Sequence, residues 1–207
     1  MDQKIKNPDW AYLNKYKDEN THIKALPFEE NRIVFFGDSI IGNWKTNNPE
    51  FFNNKKYINR GINGQTTSQM LVRFRHDVIE LKPEKVVILA GTNDIAGNTG
   101  PTALETILGN LISMCELAKS NNIKPILSSI LPASHYPWRK GIEPAEKIET
   151  LNAMILQYAT ANNIAYVDFY SAMTNEQKAM KSIYTNDGVH PNNEGYVIMN
   201  SIIKPYI

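Results

Sequence analysis

The sequence has a single cysteine, Cys115, so no disulfide within the chain holds its fold together. It also lacks any apolar run near the roughly 18 residues that a membrane span requires. The opening segment MDQKIKNPDW is polar, without the apolar centre of a secretion signal. Read as written, the chain is expected in the cytoplasm; a signal peptide already removed would place it in the periplasm or outside the cell. Neither sign of charge dominates: 22 basic and 21 acidic residues leave a formal net charge of +1. Nothing electrostatic therefore draws it to nucleic acid or to an anionic membrane surface. There is no internal repeat and no low-complexity linker.

What is present fits an ordinary globular protein, with 42% hydrophobic and 21% charged residues. A length of 207 residues suffices for one well-buried domain and is short for two. Residues 1–30 read as an N-terminal extension packed on a domain of residues 31–207. Within the extension, DWAYLNKYKDEN has the pattern of a short amphipathic helix, and Trp10, Tyr12 and Tyr16 are candidates for a dimer contact. Beyond it, the runs RIVFF, KYIN, KVVILA, KPILSSIL and IAYVDF alternate with helical patterns. Thr66 and Gln69 have capping-box spacing, and so do Thr102 and Glu105. Pro144 suits a first helical position. The last helix is expected to carry Tyr196, Met199 and Ile203 and to stop near Pro205. Strands alternating with helices of this length imply parallel βαβ units with helices on both faces. In such sheets the working residues gather on loops leaving the carboxyl ends of the strands.

Each of those loops carries a candidate. The first strand runs into Gly37-Asp38-Ser39, where Ser39 is either a turn or cap residue or a nucleophile awaiting a base. The G-x-S-x-G elbow is absent, because the second glycine, Gly42, falls one place late. The next loop, NRGINGQTT, holds Gly61 and Gly64, either of which lets backbone approach a ligand closely and offers an amide to an oxyanion. LAGTNDIAGN follows the third strand, and the Asn93 side-chain amide is a second potential donor. Near the C-terminus, in NDGVHPNNEGY, Asp187 and His190 lie three residues apart. One short loop can thus supply both a general base and the carboxylate that fixes its tautomer.

The blocks FGDSI, GINGQTT, AGTND and DGVHP, in that order, resemble the four sequence blocks of the SGNH family, also called GDSL esterases and lipases. The stretch from Asn59 to Asp94 is most similar to the branch containing platelet-activating-factor acetylhydrolase-like proteins. The resemblance implies a three-layer α/β/α flavodoxin-like fold with a five-stranded parallel sheet, and a serine hydrolase needing no metal or other cofactor. It makes Ser39 the nucleophile, His190 the general base and Asp187 its orienting carboxylate. The oxyanion donors it implies are the Ser39 and Gly64 amides and the Asn93 side chain, with Gly61 the alternative to Gly64. The implied substrate is a small-molecule or carbohydrate ester, most plainly an acetyl ester. A lysophospholipase or thioesterase on the same site, or a carbohydrate-binding domain without catalysis, are the competing readings.

Further candidates come from the residues themselves. The loop LPASHYPWRKGIEP follows the fourth strand, and His135, Tyr136, Trp138 and Arg139 there suit sugar stacking or anion contact; packing at the domain edge suits them equally. Trp44, just over a helical turn past Ser39, fits a pocket wall or the core. Cys115 falls on a helix's apolar stripe, and His76 among charged helix neighbours reads as surface; His22 has no partner pattern. Asp38 and Asp94 sit beside the candidate catalytic positions without metal-ligand spacing, so turn hydrogen bonds account for them best.

Overall fold

Five short strands form one sheet in the computed structural model, which describes residues 9–27 and 29–207. The strands are β1 (Ile33–Gly37), β2 (Tyr57–Gly61), β3 (Lys85–Leu89), β4 (Lys124–Ser128) and β5 (Ala165–Val167). They lie in the order β2-β1-β3-β4-β5, and every pair is parallel. From β1 the chain moves outward to β2, then returns past β1 to build the rest of the sheet. That reversal is the switch point where open α/β sheets form their crevice, at the carboxyl ends of β1 and β3.

Successive strand side chains point to opposite faces, and both faces are covered. On one face Val34, Phe36, Val86, Ile88 and Leu127 pack with Phe74, Ile107, Leu111, Ile148 and Leu151. These last come from helices α3 (Thr67–Asp77), α5 (Leu104–Ser120) and α6 (Ala145–Ala161). On the other face Ile33, Phe35, Val87 and Leu89 meet Ile40, Trp44, Phe169, Tyr196 and Met199, from α2 (Ser39–Asn47), α7 (Phe169–Met173) and α8 (Asn193–Ile203). The expected five-stranded three-layer fold is therefore the one formed. Cys115 is fully buried on the inner stripe of α5. Among the described residues no helix is long and apolar enough to cross a membrane.

Local expectations fare unevenly. The Thr66–Gln69 capping box forms in full. Its helix ends at Asp77, so Val78 and Leu81, though buried, sit in the cap and the tight turn beyond it. No box forms at Thr102. There Ala103 is extended and becomes the N-cap of α5, and the Thr102 hydroxyl donates instead to the Gly100 carbonyl at 3.3 Å. Pro144 is likewise one residue early, capping a helix whose first residue is Ala145.

The extension differs more. Residues 9–16 form turns, closed by Asp9 accepting from the Leu13 and Asn14 amides at 2.8 and 3.0 Å. The helix, α1, follows at Lys17–Ala25. This segment grips the β2–α3 connection. The Tyr16 hydroxyl donates to the Gly61 carbonyl, Gln65 Nε2 to Ala11 O at 2.9 Å, and Gln69 Nε2 to Trp10 O at 2.7 Å. Residues 1–8, most of the polar opening segment on which the expectation about a secretion signal rests, lie outside the described residues.

Candidate active site

Ser39 is the first residue of α2, delivered by a strand that stops one residue before its cap. Asp38 is the N-cap, its Oδ1 accepting from the Ile40 amide at 2.9 Å. Gly37 permits the tight approach: a Cβ there would lie 2.5 Å from the Leu89 carbonyl oxygen. The late glycine also finds its reason here. Gly42 rests against Gly61, where an added Cβ would stand 2.1 Å from the Gly42 nitrogen. The α2–β2 crossing, rather than a strained elbow, requires that pair. Beneath it, buried Arg73 donates to both the Gly37 and Arg60 carbonyls at 3.0 Å and to Asp77 at 2.9 Å.

The Asp187–His190 loop is held by Thr185. Its hydroxyl accepts from the Gly188 amide at 3.0 Å and donates to the His190 carbonyl at 2.8 Å. Gly188 takes a φ of +82°, which lets Asp187 Oδ1 collect the Val189 and His190 amides at 2.9 and 2.8 Å. Asp187 Oδ2 then faces His190 Nδ1 at 2.7 Å, and His190 Nε2 faces Ser39 Oγ at 2.9 Å. Burial works against ionising Asp187, but the hydrogen bonds from His190 and the loop amides outweigh it and hold the carboxyl below its usual range.

Ser39 and His190 open into a cleft of about 330 Å³ also lined by Asn43, Asn63, Gly64, Asn93, Asn98 and Trp138. Of the two glycines in GINGQTT's neighbourhood, Gly64, at φ +75°, is the one in the cleft. Gly61 is in β2 and gives its amide to Asn59 Oδ1 at 3.0 Å. Asn93 Nδ2 donates to Asp38 Oδ2 at 3.2 Å and to the Gln65 carbonyl at 3.1 Å. Burial raises the Asp38 carboxyl to about 6 against the opposing pull of the Ile40 amide. Asp94 is raised to about 6 by the same cause, while it receives the Thr67 amide and hydroxyl at 2.9 and 2.6 Å. Asp38 thus makes the expected local bond, whereas the Asp94 side chain reaches across to Thr67, the first residue of α3, instead of bonding within its own turn. Among the described residues no group of three His, Cys, Asp or Glu side chains is placed to hold a metal ion.

The candidates for substrate contact separate. Trp138 reaches the cleft, its ring 5.8 Å from that of His190. Trp44 does not: it is fully buried, stacked between Phe51 and Tyr196, with its indole N–H on Asn200 Oδ1 at 2.8 Å. The bulk of the indole fits the space under α2 and α8, where it supports the serine from behind. Tyr136 is also buried, in the core cluster beneath α5 and α6, and Trp138 packs over it with ring centroids 5.1 Å apart. His135 is exposed and lies against Gly188, where an added Cβ would meet its ring at 2.8 Å, on the outside of the histidine loop. Arg139 donates to the Gly97 carbonyl at 2.7 Å and lines a neighbouring groove with Ile142 and Lys147.

Asn43, Asn63 and Asn98 were not singled out from sequence as cleft residues. Asn43 carried a legible signal, lying four residues after Ser39 on the same helix face. Asn98 carried none, since its place depends on the turn after α4 (Thr92–Ile95).

Comparison with known proteins bears on the family and the fold. The GDSL-like Lipase/Acylhydrolase family matches residues 35–198. A provisionally assigned acylhydrolase from Bacteroides fragilis is 47% identical, with a TM-score of 0.93 and 97% of each chain covered. A GDSL-like lipase from Bacteroides thetaiotaomicron is 50% identical, with a TM-score of 0.91, over 95% of this chain and 97% of that one. A provisionally assigned platelet activating factor protein from Streptococcus pneumonia shares 28% identity at a TM-score of 0.79, over 94% and 92% of the two chains. The uncharacterized lipoprotein YqeF of Bacillus subtilis is 37% identical over 82 residues, a match spanning 38% of this chain and only 34% of that protein. With the GDSL block at Phe36–Ile40, the histidine block near the end of the matched span and the parallel five-stranded sheet between them, the chain belongs to the GDSL-like lipase/acylhydrolase family of carboxylic ester hydrolases.

Proposed function

We propose that the chain hydrolyses short acyl esters, foremost acetyl esters, of a polar alcohol such as a carbohydrate, through a Ser39–His190–Asp187 triad. The observation that carries the reading is the unbroken series Ser39 Oγ, His190 and Asp187, at 2.9 and 2.7 Å, opening into the cleft. His190 Nε2 takes the Ser39 proton as Oγ attacks the ester carbonyl, and Asp187 keeps the proton-bearing Nδ1 in place. The carbonyl oxygen takes the displaced electron pair and rests on the Ser39 and Gly64 amides and on Asn93 Nδ2, which gives up its 3.2 Å bond to Asp38 Oδ2 to reach it. Collapse returns that pair, breaks the bond to the alcohol oxygen and sends the His190 proton to it. Water then repeats the sequence on the acyl-enzyme, releasing the acid and restoring Ser39. Ser39, His190 and water handle every proton in this scheme.

Size and polarity support the short chain and the polar alcohol. Four asparagines, Asn43, Asn63, Asn93 and Asn98, line a cleft of about 330 Å³. A long alkyl chain would desolvate the Asn43 and Asn63 side-chain amides without satisfying them. The exposed indole of Trp138 offers a sugar ring a flat apolar face. Labelling by a fluorophosphonate, lost in a folded Ser39→Ala variant, tests the nucleophile. Equal labelling of the variant would refute the assignment, and a folded wild type that neither labels nor turns over any ester would favour a binding domain.

A further inference from the structure

Asn93 is the one proposed oxyanion donor that is a side chain, and only one end of its amide can donate. We infer that Asn98 and Trp138 are positioning residues that fix the orientation of the Asn93 side-chain amide; the catalytic meaning of this rests on the triad reading above. The argument follows donors and acceptors. The Trp138 indole nitrogen can only donate, and it donates to Asn98 Oδ1 at 3.1 Å. That contact turns Asn98 Nδ2 the other way, where it meets two acceptors, Asn93 Oδ1 at 2.8 Å and the Gly64 carbonyl at 3.1 Å. With its oxygen held by Asn98, Asn93 presents Nδ2 inward, to the Gln65 carbonyl and to Asp38, an acceptor-only carboxylate when ionised.

The series therefore runs one way, from a group that can only donate to one that accepts. Every amide along it has a single satisfied orientation. Bonds in such a series polarise one another, so each Nδ2–H carries more positive charge than an isolated amide would. Asn98 also ties three separate segments together: the Gly64 loop, the Asn93 turn and the Trp138 loop, whose indole lies over His190. The bond to the Gly64 carbonyl sets the peptide plane beside the second proposed oxyanion amide. Asn98 and Trp138 both lie outside the four sequence blocks.

The test is a double-mutant cycle on p-nitrophenyl acetate hydrolysis with Asn98→Asp, Asn93→Ala and the pair. Asn98→Asp keeps the acceptor for Trp138 but sets an acceptor against Asn93 Oδ1 and Gly64 O. It should lower kcat roughly tenfold to a hundredfold with KM little changed, and cost less than about twofold in the Asn93→Ala background. Trp138→Phe, which keeps the ring over His190 and deletes the N–H, should show a smaller loss with the same non-additivity. Fully additive losses, or an effect confined to KM, would overturn the inference. A readout independent of turnover separates this from failure of the triad reading. In ¹⁵N-labelled protein the Asn93 side-chain amide protons should exchange slowly with solvent, and markedly faster in Asn98→Ala; unchanged exchange contradicts the relay whatever Ser39 does.

Discussion

At the residue scale, each charge near Ser39 has a definite partner. Asp187 Oδ2 engages His190 Nδ1, and its other oxygen closes the loop. Asp187→Asn keeps the shape but places an amide against Nδ1, favouring the wrong tautomer; kcat should fall by about 10²–10⁴ with the fold retained. Steady-state rates on p-nitrophenyl acetate, beside an unchanged circular dichroism spectrum, check this. Asn93→Ala should cost roughly 10²–10³ in kcat, and full turnover in that variant would remove Asn93 from the oxyanion site.

Asp38 supplies a stability prediction. Its carboxyl is raised from 3.8 to about 6 by burial, so between those values the folded state binds more protons than the unfolded one. Stability then falls as pH rises from about 4 to about 6, and the penalty is complete above that window. Asp38→Asn should flatten this part of the stability–pH curve, measured by urea unfolding. A slope identical to wild type would show that burial does not separate the folded and unfolded titrations of Asp38.

At the element scale, two contacts set the site's geometry. The α2–β2 crossing depends on Gly42 and Gly61, with no room for a Cβ at Gly61. Gly61→Ala should push α2, and Ser39 with it, away from β2, lowering both the melting temperature and turnover. Arg73 fastens the ends of β1 and β2 from below while paired with buried Asp77. Arg73→Ala leaves that carboxylate buried and unpaired, and should destabilise by roughly 3–5 kcal/mol; a loss under about 1 kcal/mol on urea unfolding would contradict the pairing. The extension binds the same region through Tyr16, Gln65 and Gln69, so the loop carrying Gly64 is held from both sides.

At the scale of the whole molecule, the features legible in the sequence were those with a local cause. Near-continuous apolar runs at three of the strands announced a sheet covered on both faces, and the Thr66–Gln69 box announced a helix. The D-x-x-H spacing announced a loop able to hold both His190 and its carboxylate. What depended on distant packing was not legible. Trp44 and Tyr136 look like pocket aromatics by position, yet the space beneath α2 and α6 absorbs them. Asn98 and Arg73 matter because segments far apart in sequence meet on them. Gly61 and Gly64 look alike in the sequence; only the fold puts Gly61 in β2 with its amide on Asn59 Oδ1 and Gly64 in the cleft.

The most direct measurement is hydrolysis of p-nitrophenyl esters from acetate to decanoate by the wild type and by folded Ser39→Ala. The predicted result is a rate highest for acetate, falling with chain length, and reduced by about 10³ or more when Ser39 is replaced. A maximum at long chains would contradict the short-acyl cleft, and turnover undiminished in Ser39→Ala would contradict the triad itself.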